Sequence, residues 1–502
     1  MSSQRYDKAF HLAVDLGAGS GRVVLGRFGE ADLFSHEVHR FTHPIARSAG
    51  HLRWDSRHIF GEIKQGIRNA CEASRDLGGQ IVSLGVDSWG VDYALLDQSG
   101  ALLEEPVCYR DDRTLGRMEE VFALVPRREV YGRTGIQFLA LNTLYQLFAH
   151  ARGDGLPPGT HRFLMTSDLF HYLLGGQPCA EYTNATTTQM VNARTGEWDG
   201  ELLDALGLPA AIMPVIVPPG ACLGTLKPSL QSEISAPPIT IVAPATHDTA
   251  CAVVGTPLEE GWAFLSSGTW SLLGVERTDP LINDASYHLN FTNEGGAFGT
   301  FTFLKNVAGL WILESCRKQW KERGVLIDYG ALARAMEELP DSPGLINPDD
   351  QRFFNPPDML GEVQSSLRDS GLPVPGDQVA ISRVVLDSLA LRCSQVVEHL
   401  EVLIGTRVPG IHIVGGGSRN EYLNQATADA CGRPVLAGPV EATSLGNLMV
   451  QAIASGRFAS LADARAFVKR HLPGRPYTPR ARSQWQDLRK QFDLITGAHD
   501  GA

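Results

Sequence analysis

The hydrophobic pattern of this chain changes period repeatedly, and the changes divide it into strand, turn and helix blocks. His11-Leu-Ala-Val-Asp15 is a short apolar run of strand character. A Gly/Ser-rich turn follows, and then Arg22-Val-Val-Leu-Gly-Arg-Phe28, where β-branched Val23 and Val24 favour a returning strand over a helix start. Ser56 to Leu77 places Ile59, Ile63, Ile67 and Cys71 four apart, the spacing of one helix face. Ile81 to Val86 predicts another strand, which runs into Asp87-Ser-Trp-Gly-Val-Asp92. Tyr93 to Asp97 predicts a further strand, closed by the turn signal Ser99-Gly100. Residues 115–210 read as mainly helical and irregular.

Six of the 29 prolines fall between Pro214 and Pro238, which predicts a looser segment with a domain boundary near 238–246. The second half then repeats the theme of the first. Ile239 to Ala245 is an apolar run that stops at Thr246-His247-Asp248-Thr249, with a small-residue helix from Ala250 to Val254. Trp262 to Leu265 leads through Ser266-Ser-Gly-Thr269 to Trp270-Ser-Leu-Leu-Gly-Val275. Ile411 to Val414 leads into Gly415-Gly416-Gly417, and Ser418-Arg-Asn-Glu421 has capping-box spacing for a helix start at Ser418. A further helix is expected near Thr443 to Ala454, with small residues for close packing and Gly446 free to face a nucleotide. These blocks predict an α/β fold built from a duplicated unit. The domains are expected at 1–245 and 246–480, with a C-terminal tail at 481–502.

Bulk properties narrow the classes. At 502 residues the chain exceeds what one core organises. Hydrophobic residues at 43% and charged residues at 20% are ordinary for a globular protein. A net charge of −12 disfavours a nucleic-acid partner; the basic stretch Arg475 to Arg482 reads as a solvated tail. No apolar run approaches the ~20 residues needed to span a bilayer. The polar start, Met1 to Lys8, predicts no signal peptide. Eight scattered cysteines with no C-x-x-C pair predict free thiols and a cytoplasmic location. The pattern leaves monomer and homodimer both open.

Three turns are suited to phosphate or nucleotide. Asp15-Leu-Gly17-Ala18-Gly19-Ser20-Gly21-Arg22 approaches the dinucleotide pattern but returns as a strand, so it predicts a hairpin whose backbone N–H groups, Ser20 hydroxyl and Arg22 cradle an anion. Ser266 to Thr269 follows the same logic. The triple glycine allows close approach of a ring or phosphate to the backbone. Asp248, at the end of an apolar run and the start of a helix, sits where open α/β sheets place chemistry. It is the candidate general base, with His247 as rival and a plain helix N-cap as the structural alternative. A polyol site needs polar groups beside an apolar wall; Asp87, Trp89, Gly90 and Asp92 supply them, with further polar clusters at Tyr182-Thr183-Asn184 and Asn293-Glu294. Lys305-Asn306 is either a helix cap or a substrate contact. One base with three such loops points to a small-molecule kinase.

These residues also resemble carbohydrate kinases of the FGGY family. The stretches that carry the resemblance are Val14-Asp-Leu-Gly-Ala, Gly85 to Asp92, Gly135-Ile-Gln-Phe-Leu, Asn142-Thr-Leu-Tyr-Gln-Leu, Glu181 to Gln189, His247-Asp-Thr-Ala, Leu265 to Ser271, Thr292 to Ala297 and Ile413 to Gly417, across roughly 10–480. The longer stretches resemble the members that phosphorylate L-rhamnulose.

The resemblance implies two actin-like (ribonuclease-H-like) ATPase domains with the active site in their cleft. It implies ATP, Mg²⁺ and transfer of the γ-phosphoryl group to O1 of L-rhamnulose in L-rhamnose catabolism. By position, Asp248 matches the catalytic base within a substrate-contacting His247-Asp248-Thr249. Gly90 and Asn306 match sugar contacts. Ala18, Gly19, Ser20, Gly21 and Arg22 match the first ATP loop, Thr269 the second, and Gly416 or Gly417 an adenosine contact. Asp15 is expected near Mg²⁺, through water. Glu314 replaces a glutamine that contacts ATP in the best-known members, Gly19 replaces a more usual serine, and Cys431 lacks the neighbouring cysteine some members pair with it. A kinase for another ketose, such as L-fuculose or L-xylulose, is the close alternative. A non-catalytic nucleotide-dependent clamp is the distant one, and it has no need of Asp248 with its sugar-contacting neighbours.

Overall fold

The computed structural model describes residues 6–153, 155–325, 328–339, 341–480 and 482–497. The expected polar start at Met1 to Lys8 and the tail at 481–502 lie partly outside these residues. The chain forms two compact units. The first comprises Met1–Pro257, Glu276–Phe303 and Ala442–His471; the second comprises Leu258–Val275, Leu304–Glu441 and Leu472–Ala502. Compactness therefore divides the molecule differently from a cut along the sequence at 245, because the chain leaves the first unit and returns to it.

Each unit is built on a sheet of the same topology. In the first, strands β1 (Ala9–Leu16), β2 (Ser20–Phe28) and β3 (Leu33–Thr42) form an antiparallel meander. Gln80–Ser88 pairs parallel with β1 on its other side, and Thr240–Val242 pairs parallel with Gln80–Ser88. Cys222–Thr225 closes that edge. In the second unit Ala263–Ser267 and Trp270–Arg277 form the hairpin, Phe301–Ala308 lies next to it, and Ile411–Val414 then Val435–Ala437 extend the other side in parallel. With the edge strand Cys222–Thr225 of the first sheet and the edge strands Thr292–Gly295 and Arg475–Tyr477 of the second set aside, the five remaining strands of each run third, second, first, fourth, fifth in space. The α/β class and the duplicated unit expected from the strand–turn–strand repeats are both present.

Two local expectations need correction. The proline-rich segment is not a loose linker: Cys222–Thr225 and helix Pro228–Ile234 lie within it, and Leu223, Leu226, Leu230 and Ile234 are buried in the first core. Its prolines sit outside that edge strand, where their missing N–H groups cost nothing. The helix after the triple glycine starts at Glu421, not Ser418, and Asn420 caps it by accepting from the Leu423 N–H at 3.0 Å. Ser418 instead closes a one-turn 3₁₀ segment, donating to the Gly415 carbonyl at 2.7 Å. Asparagine caps as well as serine, and three glycines let the chain turn once more before the helix begins.

Helix Ala442–Ala454 gives the first unit its cross-brace. Its small residues do pack closely, but Gly446 faces protein backbone and not a ligand. A Cβ there would lie 1.8 Å from the Cys251 carbonyl oxygen, and one on Gly255 would lie 2.1 Å from that of Ala442. Two glycines thus let this helix cross helix Asp248–Gly255 at backbone contact. On its other side the helix carries Ser444, Asn447 and Gln451, spaced for one face. Gln451 Nε2 donates to the Leu12 carbonyl at 3.0 Å, and its Oε1 accepts from Ser83 Oγ at 2.6 Å. Gly446→Ala should cost the first unit about 1–3 kcal/mol, the usual penalty of overpacking, because backbone on both sides resists displacement. Urea unfolding followed by tryptophan fluorescence checks this; an unchanged midpoint would show that the crossing has slack.

Candidate active site

The parallel strands of the first sheet end together, and their register places the chemistry. Asp15, the penultimate residue of β1, is paired with Arg22 on β2 and with Asp87 on strand Gln80–Ser88. One strand further, the chain beyond Thr240–Val242 brings His247 level with Ser88 in a parallel bridge. Burial raises the Asp87 carboxyl well above the ordinary carboxylate range; Asp15 and Asp248 reinforce the shift through their charge. These three carboxylates, two on adjacent strand ends and one at the start of the helix that follows the next strand, dominate the local electrostatics.

Each is held by a specific partner. Arg22 donates to Asp15 Oδ2 through Nε at 2.9 Å and Nη2 at 2.7 Å, and Ser444 Oγ donates to the same oxygen at 2.6 Å. Asn447 Nδ2 donates to Asp87 Oδ2 at 2.6 Å, while Asp87 Oδ1 is buried with no hydrogen-bond partner. Asp248 is the exposed member, with its side chain 32% accessible. It is the first residue of its helix and His247 is the N-cap, so the capping role weighed for Asp248 does not apply. Thr249 Oγ1 donates to Asp248 Oδ1 at 3.2 Å. Burial, with a lesser contribution from Asp15, pushes the Asp248 carboxyl above its usual range, against the opposing pull of His247.

The loop that carries Asp248 is fixed by Glu181, whose carboxylate is fully buried. Its Oε2 accepts from Thr246 N at 2.8 Å, Thr246 Oγ1 at 2.9 Å and Thr183 Oγ1 at 2.5 Å. The same carboxylate caps helix Tyr182–Thr187. His247 N in turn donates to Thr183 Oγ1 at 3.2 Å. One acidic side chain thereby ties the loop before Asp248 to a helix 65 residues away in sequence.

The first expected phosphate turn is a hairpin, as the β-branched residues predicted. Gly17 N donates to the Ser20 carbonyl at 3.0 Å, leaving Ala18 and Gly19 at the tip. Nothing stands within 4 Å of a Cβ built on Gly19, so the tip has room for a ligand. Of the expected sugar contacts in this unit, Gly90, His247, Asp248 and Thr249 cluster with these strand ends. Asp87 and Trp89 are buried, at 0% and 5% exposure. Asp92 is buried as well: its Oδ2 accepts from the indole N–H groups of Trp54 and Trp89 at 2.7 and 2.9 Å, and burial pushes its carboxyl up to about 6. Trp89 and Asp92, the two residues either side of Gly90 and Val91, thus pair inside the protein.

The remaining expected residues lie in the second unit. Thr269 is at the exposed tip between Ala263–Ser267 and Trp270–Arg277. The carbonyls of Gly268 and Thr269 accept from Leu310 N at 2.9 Å and Trp311 N at 3.3 Å, which seats the start of helix Trp311–Glu322 over this turn. Gly417 packs on the neighbouring strand end: a Cβ there would lie 2.0 Å from Ser267 Oγ. Gly416 has open space around it. Glu314 is in the first turn of that helix and lines a hollow of about 310 Å³ with Lys318 and Lys321. Lys305 and Asn306 lie inside strand Phe301–Ala308, so they cap no helix.

Ser444, Asn447 and Glu181 were not assigned roles from the sequence, and Glu294 was named there only within the polar cluster Asn293-Glu294. The polar positions 444, 447 and 451 on an otherwise small and apolar helix were a usable signal. A buried carboxylate such as Glu181 leaves none.

The N-terminal domain model of the FGGY family of carbohydrate kinases matches residues 10–255, and the C-terminal domain model matches 263–455. A rhamnulokinase of Pectobacterium carotovorum subsp. carotovorum is 44% identical over 491 residues, 97% of this chain and 96% of its own. One of Bacteroides thetaiotaomicron is 42% identical over 476 residues, 94% and 96% of the two chains. The solved structure of ligand-bound xylulose kinase from Lactobacillus acidophilus superposes with a TM-score of 0.80 at 14% identity, covering 98% of this chain and 99% of that one, a likeness of fold. Matching family models along nearly the whole chain, and close relatives of equal length, establish that this protein belongs to the FGGY family of carbohydrate kinases.

Proposed function

We propose that this protein transfers the γ-phosphoryl group of ATP to O1 of L-rhamnulose, in the cytoplasm, as a step of L-rhamnose catabolism. One observation carries the choice of substrate: proteins named rhamnulokinase match it at above 40% identity from end to end. In this reading residues 1–245 supply the sugar side and the first phosphate hairpin, residues 246–480 supply the nucleotide side with Asp248 at their start, and 481–502 form a C-terminal extension.

Phosphoryl transfer asks the protein for alignment, charge neutralisation and a proton acceptor. Asp248, half-exposed at a strand end, accepts the O1 proton as O1 bonds to the γ-phosphorus and the bond to the ADP oxygen breaks. His247, Thr249, Gly90 and Asn306 orient the ketose, with Asp87 and Trp89 supporting that surface from beneath. The hairpin Ala18 to Arg22 and Thr269 hold the phosphates through backbone N–H groups, the Ser20 hydroxyl and the Arg22 guanidinium. Gly416 and Gly417 admit the adenosine, and Glu314 borders it.

Among the described residues no group of three or more metal-binding side chains occurs. Mg²⁺ takes one or two carboxylates, with water and substrate phosphate completing its octahedron. Asp15 at the hairpin, with the unpartnered buried Oδ1 of Asp87 beside it, offers hard oxygens of that type. Asp15 would hold the ion through water, and the bound ion supplies charge neutralisation to the phosphates.

Asp248→Asn should lower kcat by at least ~10²-fold, a typical general-base contribution, with ATP affinity preserved. Because a base must be unprotonated and this carboxyl is raised, kcat/KM should fall on the acid side below a pKa above the ordinary carboxylate range. That limb should be absent from the residual activity of Asp248→Asn. Steady-state kinetics from pH 4.5 to 8, approximately the range the argument requires, check both; turnover of the variant within tenfold of wild type would remove Asp248 from the role. ADP release measured across L-rhamnulose, L-fuculose and L-xylulose should favour L-rhamnulose by kcat/KM. A preference for L-fuculose or L-xylulose would transfer the assignment to that sugar.

A further inference from the structure

His247 stands between two carboxylates. Its Nδ1 is 3.3 Å from Glu294 Oε2 and its Nε2 is 3.4 Å from Asp248 Oδ1. Glu294 comes from strand Thr292–Gly295, and Asp248 from the helix that His247 caps. Glu294 is 6% exposed and the His247 side chain 10%. Glu294 Oε2 and His247 Nδ1 are both buried atoms without a hydrogen-bond partner, so their approach is that of an ion pair. A carboxylate oxygen only accepts, so an imidazole that faces one at each nitrogen satisfies both by carrying two protons. Glu181, behind the loop, adds a third negative charge. These three carboxylates are the acidic groups that act on the ring, and they outweigh the burial that would otherwise keep it neutral.

We propose that Glu294 is a positioning residue for phosphoryl transfer: it holds His247 as an imidazolium between two carboxylates, and the imidazolium fixes Asp248 in the orientation from which it takes the acceptor's proton. The consequence is geometric. Asp248 Oδ1 is engaged by Thr249 Oγ1 and faces His247 Nε2, which leaves Oδ2 as the oxygen for the acceptor hydroxyl. Without Glu294 the ring loses its second anchor and its charge. Asp248 then rotates over its exposed side, and the acceptor oxygen finds the base correctly placed for only a fraction of the time. Glu294 touches neither reactant in this scheme; it acts through His247.

The proposal rests on Asp248 as general base, and the test separates the two. In protein with ¹⁵N-labelled histidine at pH 7, the His247 ring, identified by its loss in His247→Gln, should show two protonated nitrogens, and Glu294→Gln should convert it to a neutral ring. Glu294→Gln should lower kcat by about tenfold, less than the roughly 10²-fold or more expected from loss of a general base itself, and leave KM for ATP within about twofold. Glu294→Asp, which restores the charge, should recover part of kcat. A fold lesion would shift KM for ATP and the unfolding midpoint instead. A neutral His247 in the wild type, or unchanged kcat in Glu294→Gln while Asp248→Asn is inactive, overturns the positioning role alone. Turnover that survives in Asp248→Asn overturns the base assignment and this proposal with it.

Discussion

Three carboxylates, two on neighbouring strand ends and one at the start of a helix beside them, are the constraint from which the first unit is organised. Asp15, Asp87 and the carboxylate of Asp248 repel one another, and burial makes each charge more costly. A fold that kept them without compensation would lose stability or neutralise them. The chain answers with a different device for each. Asp15 receives a guanidinium and a hydroxyl, Asp87 receives an amide, and Asp248 keeps access to solvent beside an imidazole. The identity of each partner therefore separates their roles. The carboxylate bound to Arg22 lies at the phosphate hairpin, the amide-held one is interior, and the exposed one is available to take a proton.

The scaffold beneath this cluster is a close crossing of two helices. Helix Asp248–Gly255 begins with one of the three carboxylates, and helix Ala442–Ala454 brings Ser444 and Asn447 to the other two. Gly255 and Gly446 let their backbones touch, so a shift of one helix displaces all three acids. Glu181 fixes the same loop from the opposite direction through Thr246 and Thr183. Catalytic geometry of this sort needs support that is stiffer than the groups it carries. Glycine contact and a buried acceptor provide it by different means.

Much of this was legible in the sequence where the determinant is local. The β-branched pair Val23 and Val24 distinguished a hairpin from a dinucleotide loop, and the four-residue spacing from Ile59 to Cys71 marked a helix that exists as Ser56–Asp76. The stop of an apolar run at Thr246 located Asp248 at a strand end. What stayed hidden depends on distant partners. Ser444 reaches Asp15 across 429 residues, and no local pattern encodes that pairing. Asp87, Trp89 and Asp92 were read as polar groups and a ring for a polyol site. Their interior partners lie far off in sequence: the indole N–H groups of Trp54 and Trp89 meet Asp92, and Asn447 holds one oxygen of Asp87.

The excursion of the chain out of the first unit and back has a consequence for synthesis. Ser444 and Asn447 emerge from the ribosome only after nearly all of the second unit. Until then the nascent first unit carries its acidic strand ends without two of the groups that stabilise them, and domains generally fold as units in the order they are made. The carboxylate cluster is thus finished last, so a truncated or stalled chain that already contains the hairpin and Asp248 still lacks the helix that holds the cluster in place.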